Sequence, residues 1–315
     1  MYLVPITHES PFCKNRTALL KALSNGKRLE HVSGTRDHPY IGEDCTYRWF
    51  PSPVICYILE RFQSLTFIGG LETSASSAVY TALNILLRED VVFGGLLRSD
   101  ISHDECGCAA QLANKKCTKY RITTSSQLHD SALCNGKALA LLNSLHIPHL
   151  FIPITAPVGA QVVVAEESRE IEDALFRSQT FHRPHPWQPS PVVVSLSAWE
   201  SESAIEAELM RWLTLAAAAE RNIPFLILGP TPSPSAGHLL RSREHGKELV
   251  DSVRRVIERQ NKENVEFLDL WNLGLRPDVP GDAERRETIA LGSDLEMALV
   301  QAMMVVNWLA MLETS

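Results

Sequence analysis

The sequence predicts an α/β protein, a three-layer α/β/α sandwich built on a mainly parallel sheet of roughly five strands. Three observations carry this. Short runs such as 191–197 (PVVVSLS) and 223–229 (IPFLILG) carry consecutive apolar residues (VVV, FLIL) rather than alternating ones, as strands covered on both faces do. Amphipathic stretches of helical period separate them, as parallel crossovers require. The 315 residues, 45% hydrophobic and 21% charged, supply enough apolar surface for one sizeable core.

Residues 1–44 form a polar, irregular amino-terminal segment with a short helix at 17–23, and residues 45–315 form a single α/β domain. Gly34, Pro39 and Gly42 punctuate the loop that leads into that domain. Pro53 then opens a helix that places Ile55, Ile58, Leu59 and Phe62 on one face, with Tyr47, Trp49 and Phe50 as core packing. Residues 65–68 form the leading strand, 69–77 a Gly/Ser/Thr-rich turn and 78–88 an amphipathic helix. Residues 91–96 (VVFGGL) read as a second strand ending in Gly94 and Gly95. Residues 97–136 hold the cysteine cluster and form an excursion from the sheet, followed by a helix at 137–145 and short strands at 150–154 and 161–165.

The proline-rich loop 181–191 contains His182 and His185, whose spacing suits metal ligation but whose default role is solvated loop. The remaining order is strand 191–197, helix 202–221, strand 223–229, loop 230–237, helix 241–260, strand 265–270 and a closing helix at 295–312. The closing helix is the most apolar stretch. It is shorter than the roughly 20 residues a membrane span needs, and Gln301 and Asn307 interrupt it, so burial is the expectation.

Charge narrows the function classes. Thirty basic against thirty-seven acidic side chains give −7, evenly spread, so nucleic acid is not expected as a partner. The glycine turn lacks the G-x-x-x-x-G-K-[ST] and G-x-G-x-x-G spacings, which argues against a nucleotide, and no cofactor is expected. All seven cysteines lie in the first half, and clustering there points to disulfides; a Cys45–Cys56 bridge fits, and Cys13 is the expected odd thiol. A zinc site from Cys106, Cys108, Cys117 and Cys134 is the alternative, without the paired knuckles that mark one. Asn15-Arg16-Thr17 is a glycosylation sequon. The cysteines and sequon favour the secretory pathway, although residues 1–12 lack the basic and apolar regions of a leader peptide.

A strand that runs through glycines into a helix leaves backbone N–H groups at the helix start, where oxyanions and nucleophilic hydroxyls are held. The turn supplies Thr73, Ser74, Ser76 and Ser77. Ligands of parallel sheets bind outside the carboxyl ends of the strands, which gathers this turn, Gly94-Gly95, 197–200 and 230–238 on one rim.

The runs CTYRWFPSPVICYILERFQSLTFIGG, YTALNILLRED and LILGPTPSPSAGH, together with Trp271-Asn272-Leu273 and QAMMVVNWLAML, resemble fungal members of the PC-esterase group. That group lies within the GDSL/SGNH hydrolase superfamily and includes relatives of plant polysaccharide O-acetyltransferases. The resemblance implies an acyl-ester hydrolase or O-acyltransferase acting on an acetylated polysaccharide or other glycan. It implies Ser74 as nucleophile, Gly70, Gly94 and Gly95 as backbone donors to the oxyanion, and Ser197 and Trp199 on the rim. His238 is the weak substitute base or substrate contact.

Departures from the family pattern are concentrated in its catalytic blocks. Gly69-Gly70-Leu71 stands where Gly-Asp-Ser is expected, and Ser197-Ala198-Trp199-Glu200 where an oxyanion asparagine is expected. The late Asp-x-x-His has no counterpart, because the last histidine of the chain is His245. A hydroxyl without a base is a poor nucleophile near neutral pH. The competing expectation is therefore an inactive relative that keeps the fold and binds carbohydrate or serves a structural role.

Overall fold

The computed structural model describes residues 11–28, 40–70, 74–97, 101–127, 149–154, 189–196, 202–218, 223–231, 243–260, 263–271 and 295–312. At its centre is a five-stranded, all-parallel sheet: β1 (Leu65–Gly70), β2 (His149–Ile154), β3 (Val192–Ser195), β4 (Phe225–Leu228) and β5 (Val265–Leu268), in the spatial order β2-β1-β3-β4-β5. Six helices of nine residues or more accompany it among the described residues: α1 (Arg16–Asn25), α2 (Ser52–Glu60), α3 (Ala75–Arg88), α4 (Glu202–Ala218), α5 (Arg243–Gln260) and α6 (Leu295–Ala310).

Side chains alternate across the sheet with period two, and each face has its own core. Phe67, Phe151, Val193, Leu226 and Leu268 pack with residues of α1, α2, α3 and α6. Ile68, Val192, Val194, Phe225 and Ile227 face the opposite way, onto Ile205, Leu209 and Trp212 of α4 and Val250 and Val253 of α5. Both faces are thus covered by helices, which is why the strands read as unbroken apolar runs.

One polar residue within the closing helix and one beside its end are structural. Asn307 is buried and clasps the backbone of Arg48, accepting from its N–H at 2.8 Å and donating to its carbonyl at 2.7 Å. Arg61 donates to the carbonyls of Ala310 and Leu312, closing the end of α6. Among the described residues no helix is long and apolar enough to cross a membrane.

The described parts of the amino-terminal segment, residues 11–28 and 40–44, are tied to the domain. Leu19, Ala22 and Leu23 of α1 are buried in the first core, and Arg16 pairs with Glu266 of β5 at 3.0 Å. Cys13 bonds to Cys45, correcting the expectation of a Cys45–Cys56 bridge with Cys13 left over. The reason is local: Phe12 and Thr46 form a parallel bridge, with Cys13 N–H on the Thr46 carbonyl, which brings the two cysteine Cα atoms to 5.0 Å. Cys56 is also disulfide-bonded, and Cys106 pairs with Cys117, so the four-cysteine zinc alternative is not formed; Cys108 is the free thiol among the described residues.

Residues 91–96 are not a strand. Asp90 Oδ1 accepts from the N–H groups of Val92 and Phe93, and the carbonyls of Phe93, Gly94 and Leu96 converge on Arg88 Nη1. An Asx-type turn wrapped on a guanidinium therefore replaces the expected ladder, and only Leu96 makes a bridge, with Arg121. The second strand is β2. It is an edge strand, and Thr124 bridges Leu150 from its outer side while Phe151 N–H bonds the Thr123 carbonyl at 2.7 Å. The expected helix at 137–145 and strand at 161–165 lie outside the described residues.

Candidate functional site

The strand order places β2 on one side of β1 and β3 on the other, so successive crossovers leave β1 in opposite directions. A crevice opens outside the carboxyl ends of β1 and β3 at such a point. The hydroxyl-rich turn sits there. The helix begins three residues earlier than its apolar period indicates, at Ala75, because Ser74 caps it: Ser74 Oγ accepts from the Ser77 N–H at 3.2 Å. The same Oγ donates to the Gly70 carbonyl at 2.5 Å and lies 3.1 Å from Ser76 Oγ.

Ser76 stitches the turn to two strands. Its Oγ donates to the Ile68 carbonyl of β1 at 2.8 Å, and its N–H donates to Ser195 Oγ, the last residue of β3, at 2.6 Å. Gly69 is required by this close approach. A Cβ there would lie 2.2 Å from Ser76 Oγ and 2.7 Å from Ser74 Oγ. Ser76 and Ser195 are buried, whereas Ser74 is half-buried.

A cation stands behind the turn. Arg121 is buried and donates from Nη1 to Ser77 Oγ at 3.0 Å, from Nε to the Gln111 carbonyl and from Nη2 to the Leu112 carbonyl. It joins the excursion, closed by Cys106–Cys117, to the first turn of α3. Sequence reasoning named Ser76 as a turn hydroxyl but not its link to Ser195, and singled out neither Arg121 nor Ser195. A polar residue ending a fully apolar strand was the available sign for Ser195. Arg121 had none, since its contacts span 44 residues to Ser77.

Gly70 closes β1 and lends its carbonyl to Ser74. Gly94 and Gly95 lie elsewhere. A Cβ on Gly95 would meet Thr81, about 10 Å along α3 from Ser74. Their N–H groups are engaged with the Asp90 carbonyl and with Gln111 Oε1, at 2.9 and 3.0 Å. Ser197, Trp199 and His238 lie outside the described residues.

Comparison with known proteins returns no match to a family model, a curated protein or a solved structure. Chemistry at the site therefore rests on its own geometry.

Among the described residues no imidazole bonds Ser74. His149 is buried at the amino end of β2, about 16 Å along the strands from Gly70, and shares a 2.9 Å hydrogen bond with Tyr80. Burial pushes the Tyr80 phenol up, with Asn84 pulling the other way, so Tyr80 stays a neutral phenol in this core contact.

Among the described residues, a titratable group beyond the carboxyl end of a strand is Asp269, directly after β5. Burial raises its carboxyl to about 6, against the pull of the Trp271 N–H and Arg254 and with a further push from Asp251. It accepts from Trp271 N–H at 2.9 Å and lies 3.5 Å from Arg254. Three strand spacings, about 14 Å, separate β5 from β1, too far for a direct hydrogen bond to Ser74. Among the described residues no group of three His, Cys, Asp or Glu side chains is arranged to hold a metal ion.

Proposed function

We propose that this chain is a diverged SGNH/PC-esterase-like protein that takes an acetylated carbohydrate into the crevice between the tips of β1 and β3, as an acyl-ester hydrolase or O-acyltransferase. The observation that carries the reading is the position of Ser74: a half-buried hydroxyl at the exit of the leading strand, on a helix N-terminus, beside the point where the strand order switches direction, which is where parallel sheets bind their ligands. The framework resemblance of the sequence supplies the substrate class. Ser74 Oγ would attack the acetyl carbonyl carbon, and its proton would pass to His238, the substitute base we assign, before the sugar hydroxyl leaves. Ser197 and Trp199 are the rim residues that the sequence assigns to this site.

A second reading has its own observation. Ser74 spends its proton on the Gly70 carbonyl and a lone pair on the Ser77 N–H, as a capping serine does. Without a base to compete for that proton, the crevice would bind an acetylated glycan and leave it intact.

A fluorophosphonate probe on the full chain separates the two. Stoichiometric labelling of Ser74, lost in Ser74→Ala together with hydrolysis of p-nitrophenyl acetate, supports the acyl-transfer reading. No label, equal hydrolysis by wild type and variant, and retarded migration in gels containing acetylated polysaccharide support the binding reading. Label on another turn serine would move the nucleophile away from Ser74.

A further inference from the structure

The first turn of α1 carries a feature that neither reading of the crevice uses. Asn15-Arg16-Thr17 is the only N-x-S/T triplet in the chain. Sequons are common by chance, and what decides their use is whether the asparagine meets the glycosylating machinery and whether its amide nitrogen can carry a sugar in the folded protein.

The structure bears on both points. Asn15 is exposed with extended backbone, φ −151° and ψ 169°, as the N-cap of α1. Its two amide atoms are divided: Oδ1 accepts from the Ala18 N–H at 2.9 Å, while Nδ2 donates to nothing among the described residues. A sugar on Nδ2 leaves the carbonyl oxygen, and so the cap, in place. Thr17 is exposed as well. Two residues before the sequon, Cys13 is bonded to Cys45, and Cys106–Cys117 and the bonded Cys56 make the same point about compartment: such bonds persist where the surroundings are oxidising, which is where asparagine-linked sugars are added.

We propose that Asn15 is an N-glycan acceptor. In the transfer, Asn15 Nδ2 attacks the anomeric carbon of an oligosaccharide carried on a polyprenyl pyrophosphate. The new C–N bond forms as the C–O bond to the pyrophosphate breaks. One amide proton goes to a base of the transferase, and polyprenyl pyrophosphate leaves with the electron pair. The glycan then stands on the outside of α1, covering the start of the helix beside the exposed Phe12. This holds whether or not Ser74 is a nucleophile.

The test uses the full chain secreted from a eukaryotic host behind a cleavable leader, compared with Thr17→Ala and Asn15→Asp. Both substitutions remove the acceptor signal, and both keep an oxygen that can cap α1. The readouts are intact mass before and after peptide N-glycosidase F, heavy-oxygen labelling of residue 15 during release, free-thiol titration and melting temperature. The expected result is a wild-type chain that loses mass on treatment and gains the label at residue 15, two variants that do neither, and oxidised cysteines with matching protein melts after deglycosylation. A wild-type chain whose mass equals that of the peptide would overturn the proposal, whether its cysteines are bonded or free. So would glycan mass that persists in Thr17→Ala.

Discussion

As the N-cap of α3, the Ser74 hydroxyl gives its proton to the Gly70 carbonyl and takes one from the Ser77 amide, so removing it has two separable effects. Ser74→Ala should cost about 1 kcal/mol of stability from the lost cap, read by urea denaturation, whatever it does to ester hydrolysis. Ser74→Gly should cost only a few tenths while equally removing the hydroxyl, which makes it the cleaner probe of chemistry. Gly69→Ala acts on the same cluster by crowding: a methyl 2.2 Å from Ser76 Oγ displaces a hydroxyl that holds β1 to the turn. We expect a loss of roughly 1–3 kcal/mol and a lower melting temperature. Asp269 gives a pH signature. Its folded pKa, about 6, lies above the ordinary 3.8, so the folded state holds the proton more tightly than the unfolded chain. The resulting stabilisation is complete below the ordinary value and lost as pH rises through about 6. Asp269→Asn removes that dependence. Relative to wild type it should gain stability between about pH 4 and pH 7, by on the order of 2–3 kcal/mol, and a flat difference across that range would refute the assignment.

At the scale of elements, the excursion 101–127 matters because of what it holds. Arg121 bridges it to the first turn of α3, and Gln111 binds Gly95 N–H with its oxygen and the carbonyls of Val91 and Val92 with its nitrogen. Arg121→Ala would leave Ser77 Oγ and the carbonyls of Gln111 and Leu112 without this buried donor. A cost of at least 2 kcal/mol is expected, with faster amide exchange at the start of α3, measured by hydrogen exchange. These elements were also the hardest to read in advance. Strands β1, β3, β4 and β5 and helices α2, α4, α5 and α6 were visible because burial on one or both faces writes a period into the sequence. Residues 91–96 carried the same apolar β-branched signal, yet Asp90 and Arg88 on either side of the α3 terminus bound their backbone more favourably than a neighbouring strand would. The turn serines were visible as hydroxyls but not as partners: the link from Ser76 to Ser195 spans 119 residues, and no local pattern encodes it.

For the whole molecule, the Cys13–Cys45 and Cys106–Cys117 cross-links fix loops of very different span. The chain-entropy cost that Cys13–Cys45 removes from unfolding, over a sequence separation of 32, is about 4 kcal/mol; that of Cys106–Cys117, over 11, is about 3. The double variant Cys13→Ala/Cys45→Ala should therefore lower global stability by roughly 2–4 kcal/mol in thermal or urea melts. Because Arg16 and Trp308 meet on Glu266, at 3.0 and 2.6 Å, the segment before residue 45 should come away together with the closing helix rather than fray alone. One margin of the molecule bears on its behaviour in a crowd. The outermost strand, β2, has Thr123 and Thr124 laid along its free side and carries Pro153, which has no amide proton to offer a newcomer. A chain clipped or loosened near residues 121–127 would bare Leu150 and Phe151 to another copy. Proteolytic damage in that stretch would thus turn a capped margin into a template on which further copies could stack.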